Sequence, residues 1–168
     1  KKLNIPPPGD RMEINSNNLM VGIIEAIFYP NLIIPRKEER IHNGRKRIDI
    51  TYHNAAKDGF FEYITHHIPS ATIITECKNY EEDPKNPEID QLSGRFSPRR
   101  GKFGILVCRN VTDQSLMDQR CKDTADDERG FMFVLDDQDI LQLLEMKKLN
   151  NDSGINKFLM EKYKKLIM

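Results

Sequence analysis

Short β-branched or apolar runs alternate with amphipathic segments along most of the chain, and this alternation restricts the fold more than any other feature. The run ATIITECKNY, which begins at Ala71, is rich in β-branched residues and predicts a central strand. The run KFGILVCRN, which begins at Lys102, is almost continuously apolar and predicts a buried strand. The intervening segments have apolar residues three and four apart, which predicts helices. The alternation predicts a three-layer α/β/α fold with a central mixed β-sheet.

The predicted order of elements is a helix, a hairpin, a helix and a strand, then helix, strand, helix, strand and two closing helices. The first helix, in NSNNLMVGIIEAIFY, is expected to begin at Ser16 as its N-cap and to end before Pro30. Asn43-Gly44, between two strand-like runs, is typical of a tight hairpin.

The length of 168 residues is that of one domain with a core of its own. Residues 13–168 are expected to form it, with a core over about 16–135 and closing helices over 136–168. Residues 1–12 include PPPG and are expected to be a linker or terminal extension, and further domains of a longer chain are an expected setting. Three cysteines without zinc-ligand spacing favour a reducing, cytoplasmic setting, and the apolar runs are too short to cross a membrane.

Charge is balanced overall but unevenly distributed. Lys plus Arg and Asp plus Glu both number 26, so the net charge does not favour nucleic-acid binding. Basic residues concentrate in 36–47 and 95–102, which fits a local surface that contacts phosphates. An ordinary solvated surface would explain the same pattern. The predicted nucleic-acid contacts are Arg45, Arg47, Arg95, Arg99, Arg100 and Lys102.

Three charged residues are predicted to converge at the end of the central strand. Glu76 and Lys78 are two apart and therefore point to one side of a strand, and Asp49 lies on the second arm of the hairpin. Two carboxylates suit Mg²⁺, with the backbone carbonyl of Cys77 as a further ligand. Lys78 would orient a metal-bound water or offset charge on a phosphate.

This ordered set resembles the PD-(D/E)xK nuclease superfamily over roughly residues 16–135. That family has an acidic residue on a hairpin strand, here Asp49, and a (D/E)-x-K triplet on the next strand, here Glu76-Cys77-Lys78. The resemblance implies a restriction-endonuclease-like fold and Mg²⁺-dependent hydrolysis of DNA phosphodiester bonds, with Mn²⁺ able to substitute. DNA is favoured over RNA, and a homodimer would suit double-strand cutting. The domain would belong to a larger defence, restriction or DNA-processing protein.

The pattern is nearest to the Mrr-like and Holliday-junction-resolvase-like branches. Those branches place a Glu on the first helix, and Glu25 matches it. Many members carry a polar residue, often Gln, on the helix after the triplet, and Gln91 fits. Arg95 lies four residues after Gln91, on the same helix face. Two departures are that Ile48 stands where the family name has Pro, and that QLSGRF lacks the Tyr of the RecB-like Q-x-x-x-Y signature.

Other interpretations of these residues stay open. The three charged residues would also suit a salt-bridge ladder between strands, and Glu25 and Gln91 would suit exposed helix faces. Two further sequences match the triplet, one beginning at Asp83 in a loop and one at Glu145 in a helix. A nuclease-fold module that binds nucleic acid or a protein without cutting is the alternative function.

Overall fold

The computed structural model describes residues 10–41, 46–79 and 82–168. In these ranges it contains five strands and six helices in the predicted order. The elements are α1 Asp10–Phe28, β1 Leu32–Ile41, β2 Lys46–Asn54, α2 Gly59–His67, β3 Thr72–Lys78, α3 Asn86–Ser93, β4 Phe103–Cys108, α4 Gln114–Asp126, β5 Phe131–Leu135, α5 Asp137–Lys148 and α6 Asp152–Ile167.

The five strands form one mixed sheet in sequence order. β1 pairs antiparallel with β2 and β2 with β3, whereas β3 pairs parallel with β4 and β4 with β5. Each parallel connection passes through a helix, as parallel pairing requires. β3 is the middle strand of the sheet, which confirms the prediction of a central strand.

Helices lie on both faces of the sheet. Tyr52 pairs with Ile73, so their side chains share a face, and the Tyr52 hydroxyl donates to the Val21 carbonyl of α1 at 3.4 Å. Residues one position along β3 point the other way. On that second face α3 meets β3, where Gln91 contacts Glu76. The mixed α/β architecture agrees with the predicted three layers.

The core consists of apolar residues from the sheet and from the helices on its two faces. β4 is buried at every position, which matches its almost continuous apolar sequence. Phe60 of α2 is fully buried and lies among other aromatic rings at centroid distances of 5.3 to 6.1 Å. Those rings belong to Phe61, Phe103, Phe133 and Tyr163.

The first helix differs from the prediction at its start and agrees at its end. It begins at Asp10, ahead of Ser16, and ends at Phe28, before Pro30. No Gly or Pro separates Asp10 from Ser16, so the helix continues through the predicted cap. The predicted Asn43-Gly44 turn lies outside the described residues, although β1 and β2 do pair antiparallel.

Among the residues that the structure describes, no helix has the length and apolar character needed to cross a bilayer.

We expect Phe60→Ala to lower the free energy of unfolding by about 3–5 kcal/mol, because it would leave a cavity between several rings. Urea unfolding followed by circular dichroism measures this change. Leu149→Ala is the matched control: Leu149 is 77% exposed, and its loss should change the free energy by less than about 0.5 kcal/mol. Equal effects of the two substitutions would contradict the packing described here.

Candidate functional site

Glu76 and Lys78 lie at the carboxyl end of β3. In the parallel ladder Glu76 pairs with Leu106 and Lys78 with Cys108, so both side chains leave the sheet on one face. Glu76 is completely buried, and the Lys78 side chain is 16% exposed. The strand therefore carries a buried carboxylate and, two residues on, a largely buried lysine beside it.

Glu76, Lys78 and Gln91 form a triangle of hydrogen bonds. Lys78 Nζ donates to Glu76 Oε1 at 3.4 Å and to Gln91 Oε1 at 3.0 Å. Gln91 Nε2 donates to Glu76 Oε1. The amide thus bridges the two charged groups, one through each of its polar atoms.

α3 is held in place by its apolar residues and its first turn. Ile89 and Leu92 are buried, three residues apart on one side of the helix. The helix has Pro87 in its first turn, and the side chain of Glu88 accepts from the backbone N–H of Lys85 at 2.8 Å. This packing directs Gln91 at the end of β3.

Arg95 joins the triangle from just beyond the end of α3. Its Nε lies 3.9 Å from Glu76 Oε2, and its Nη1 donates to the Gln91 carbonyl oxygen at 3.1 Å. The side chain is 12% exposed. The Arg95 carbonyl accepts from Arg100 Nε at 3.3 Å and Nη2 at 3.0 Å. Arg95, expected as a nucleic-acid contact, therefore lies inside the site, and Arg100 supports its backbone.

The other predicted basic contacts differ in exposure. Arg99 is exposed, whereas Lys102 Nζ donates to the Glu128 carbonyl at 2.9 Å. Arg45 and the side chain of Arg47 lie outside the described residues. The described basic residues are neighbours in the sequence, but they do not form a single exposed surface.

The side chain of Asp49 also lies outside the described residues. Its backbone belongs to β2 next to Ile50, whose partner Thr75 precedes Glu76. Asp49 and Glu76 are therefore each next to one member of the same cross-strand pair, Ile50 and Thr75. Among the described side chains, no group of three His, Cys, Asp or Glu residues is placed to hold a metal ion.

Glu25 lies on the other face of the sheet. It is half-buried on α1 and is associated with Tyr52, on the face opposite Glu76. Burial raises the pKa of Tyr52 far above its usual range, and the charges of Cys77 and Glu25 add to the increase. The structure therefore does not place Glu25 in the triangle around Glu76.

A second polar cluster, which the sequence analysis did not identify, lies at the same edge of the sheet. Arg109 follows β4, and its Nε lies 3.0 Å from Asp137 Oδ2, at the start of α5. Its Nη1 donates to Asn79 Oδ1, just after β3, at 3.3 Å. Polar residues directly after parallel strands were the available signal, because the carboxyl ends of those strands meet at one edge.

The two additional triplets have other structural roles. The Asp83 carboxylate accepts hydrogen bonds from the backbone N–H groups of Thr112 and Asp113 and from the Thr112 hydroxyl, at 2.8 to 3.0 Å. In α5, Lys147 Nζ donates to Asp152 and to the Tyr29 carbonyl, each at 3.0 Å. Both placements confirm the prediction of a loop and a helix.

The chain matches no family model, and no curated protein or solved structure resembles it significantly.

We expect Asp83→Ala to destabilise the protein by about 1–2 kcal/mol at neutral pH, because several hydrogen bonds to one carboxylate are lost. The backbone N–H of Asp113 is the main cause that lowers the pKa of Asp83 in the folded chain. A lowered pKa stabilises the fold fully above the ordinary aspartate pKa of about 4, and this stabilisation is lost as the pH falls through the lowered pKa of the folded chain. The difference from wild type should therefore shrink on acidification.

Urea unfolding of both proteins between neutral and acidic pH measures this difference. Glu82→Ala is the control, because the exposed pair that Glu82 forms with Lys85 contributes little. An Asp83→Ala effect that stays constant down to the acid limit would contradict the assignment.

Proposed function

We propose that this chain is a metal-dependent nuclease domain of the PD-(D/E)xK type, with a restriction-endonuclease-like fold, that hydrolyses DNA phosphodiester bonds. The observation that carries the proposal is the triangle of Glu76, Lys78 and Gln91. It joins the acid and the lysine of the triplet to a glutamine on the following helix, where many members of the family carry a polar residue, often Gln.

The sheet topology supports the same function. The triplet is on the middle strand, and the strand that carries Asp49 pairs with it. The triplet strand also pairs in parallel with β4, so its carboxyl end meets those of β4 and β5 at one edge. Ligand sites of open α/β sheets lie outside such an edge.

The donor set fits a hard divalent cation. Asp49, Glu76 and the Cys77 carbonyl would supply oxygen ligands of the kind that Mg²⁺ prefers, and Mn²⁺ would substitute for it. When bound, the cation would supply an activated water and a positive charge next to the phosphate.

Lys78 and Gln91 would position the reacting groups. The Lys78 side chain is 16% exposed and its Nζ is held by two acceptors, so its charge lies at a fixed place beside Glu76. A fixed ammonium group stabilises negative charge that develops on a phosphate without reorganising during the reaction. Gln91 bonds to both side chains and would hold Glu76 and Lys78 in fixed positions relative to each other.

The biological setting belongs to the same proposal. The exposed Arg99 is a candidate contact for the DNA backbone, together with Arg45 and Arg47. A homodimer would bring two sites to opposite DNA strands. Further domains of a defence or restriction protein would select the target, and a reducing cytoplasm would keep the cysteines free.

One observation favours the alternative of a binding module that does not cut. Glu76 is completely buried, and Lys78 and Arg95 both lie within ion-pair distance of it. A carboxylate neutralised in this way also serves to dock α3 on β3. A nuclease fold that had lost its activity would keep the ion pairs for that purpose alone.

We expect wild type to nick or linearise supercoiled plasmid in Mg²⁺ or Mn²⁺ and not in EDTA. Glu76→Gln and Lys78→Ala should each lower the initial rate by roughly 10²–10³-fold, because the first removes a proposed metal ligand and the second removes a charge that stabilises the transition state. Agarose gels quantified over time measure the rates, and circular dichroism checks that the variants are folded.

Lys85→Ala is the matched control, since Lys85 ends the triplet that begins at Asp83 and should leave the rate unchanged. A folded Lys78→Ala protein that cuts as fast as wild type would contradict the proposed site. Wild type that binds DNA in a gel-shift assay but never cuts would favour the binding module.

A further inference from the structure

We infer that Arg95 is an internal counter-ion of Glu76, and that a divalent cation has to replace it in order to bind this carboxylate. The inference rests on the proposed function, because it concerns the same site. Arg95 would then control the affinity for the metal, whereas the basic sequence around it predicted a contact with nucleic acid.

The geometry around Glu76 divides its two oxygens between two cations. Lys78 Nζ and Gln91 Nε2 donate to Oε1, whereas Arg95 Nε faces Oε2 at 3.9 Å. Because Glu76 is buried, the attraction of these charges is screened less than on the surface. A cation bound at Oε2 would therefore lie close to the positive charge of Arg95.

Arg95 and Glu76 form an ion pair without a hydrogen bond at Nε. At 3.9 Å it is longer than a hydrogen bond, and Arg95 Nε is buried with no hydrogen bond to the residues that the structure describes. Mg²⁺ would bind a carboxylate oxygen at about 2.0–2.1 Å, and its attraction for the oxygen would be correspondingly stronger.

Arg95 keeps its other contacts when Glu76 changes partner. Its Nη1 bonds to the Gln91 carbonyl and its own carbonyl accepts from Arg100, and neither interaction involves the carboxylate. The guanidinium therefore stays beside the site after a metal binds. Arg95 is thus a positioning residue that acts through Glu76.

The test is the affinity of the protein for Mn²⁺ without DNA, measured from the electron paramagnetic resonance signal of free Mn²⁺. Arg95→Gln and Arg95→Met remove the charge and should bind Mn²⁺ about 5- to 50-fold more tightly than wild type, as expected for coupled sites. Arg95→Lys keeps the charge and should remain near the wild-type affinity. A merely structural role for Arg95 would not tighten metal binding.

Arg129→Gln is the matched control. Arg129 Nη1 also contacts α3, through Asp90 and Ser93, but the residue has no described contact with Glu76. Its loss should leave the Mn²⁺ affinity unchanged. If Arg129→Gln tightened binding as much as Arg95→Gln, a general charge effect would replace the inference.

The remaining outcomes also support or overturn the inference. Unchanged or weaker Mn²⁺ binding by the folded neutral variants overturns the inference, as does failure of both to fold. If wild type binds no Mn²⁺ at millimolar concentration, binding gained by Arg95→Gln supports the inference and its absence overturns it. Because no DNA is cut in this experiment, it is independent of the plasmid assay, and either proposal can fail alone.

Discussion

The Glu76 carboxylate is buried at the end of the central strand, β3, and the arrangement of side chains at this edge of the sheet depends on that burial. An ionised carboxylate that is buried without partners costs several kcal/mol, so groups that neutralise it have to be brought from elsewhere in the fold. Lys78 comes from the same strand, and Gln91 and Arg95 come from α3 and the turn after it. The docking of α3 on β3 is therefore both apolar, through Ile89 and Leu92, and electrostatic.

This constraint connects stability with function. A cation would compete with the side chains that neutralise Glu76 when no metal is bound. Removing such a side chain would strengthen metal binding, but it would leave the Glu76 carboxylate less well neutralised when the site is empty. The second cluster, around Arg109, lies at the same edge of the sheet and has its own ion pair with Asp137. Two polar clusters therefore lie at one edge of the sheet, whereas the buried positions of the strands are mostly apolar.

The elements of the fold were predictable because their signals are local. The β-branched run gave β3, the continuous apolar run gave β4, and the two-residue period of a strand placed Glu76 and Lys78 on one side. Gln91 was singled out by the family resemblance, and the structure places it against Glu76 and Lys78. The start of α1 was predicted wrongly, because a Ser that can cap a helix is also tolerated inside one.

The direction of individual side chains was less predictable, because it depends on tertiary packing. Arg95, Arg99 and Arg100 lie within six residues, yet the first points into the site, the second is exposed and the third binds a backbone carbonyl. Glu25 is on the expected helix, but α1 packs on the face of the sheet opposite Glu76. The contact of Arg109 with Asp137 joins residues 28 apart in sequence, which no local period reveals.

The most direct test of the account is to locate a bound metal. Crystals soaked in Mn²⁺ would be measured at the manganese absorption edge. The account predicts an anomalous peak about 2.0–2.3 Å from a Glu76 carboxylate oxygen, within ligand distance of Asp49 as well. Full occupancy of a peak elsewhere, or an intact Glu76 triangle without a peak at saturating Mn²⁺, would contradict a metal-dependent site at the end of β3.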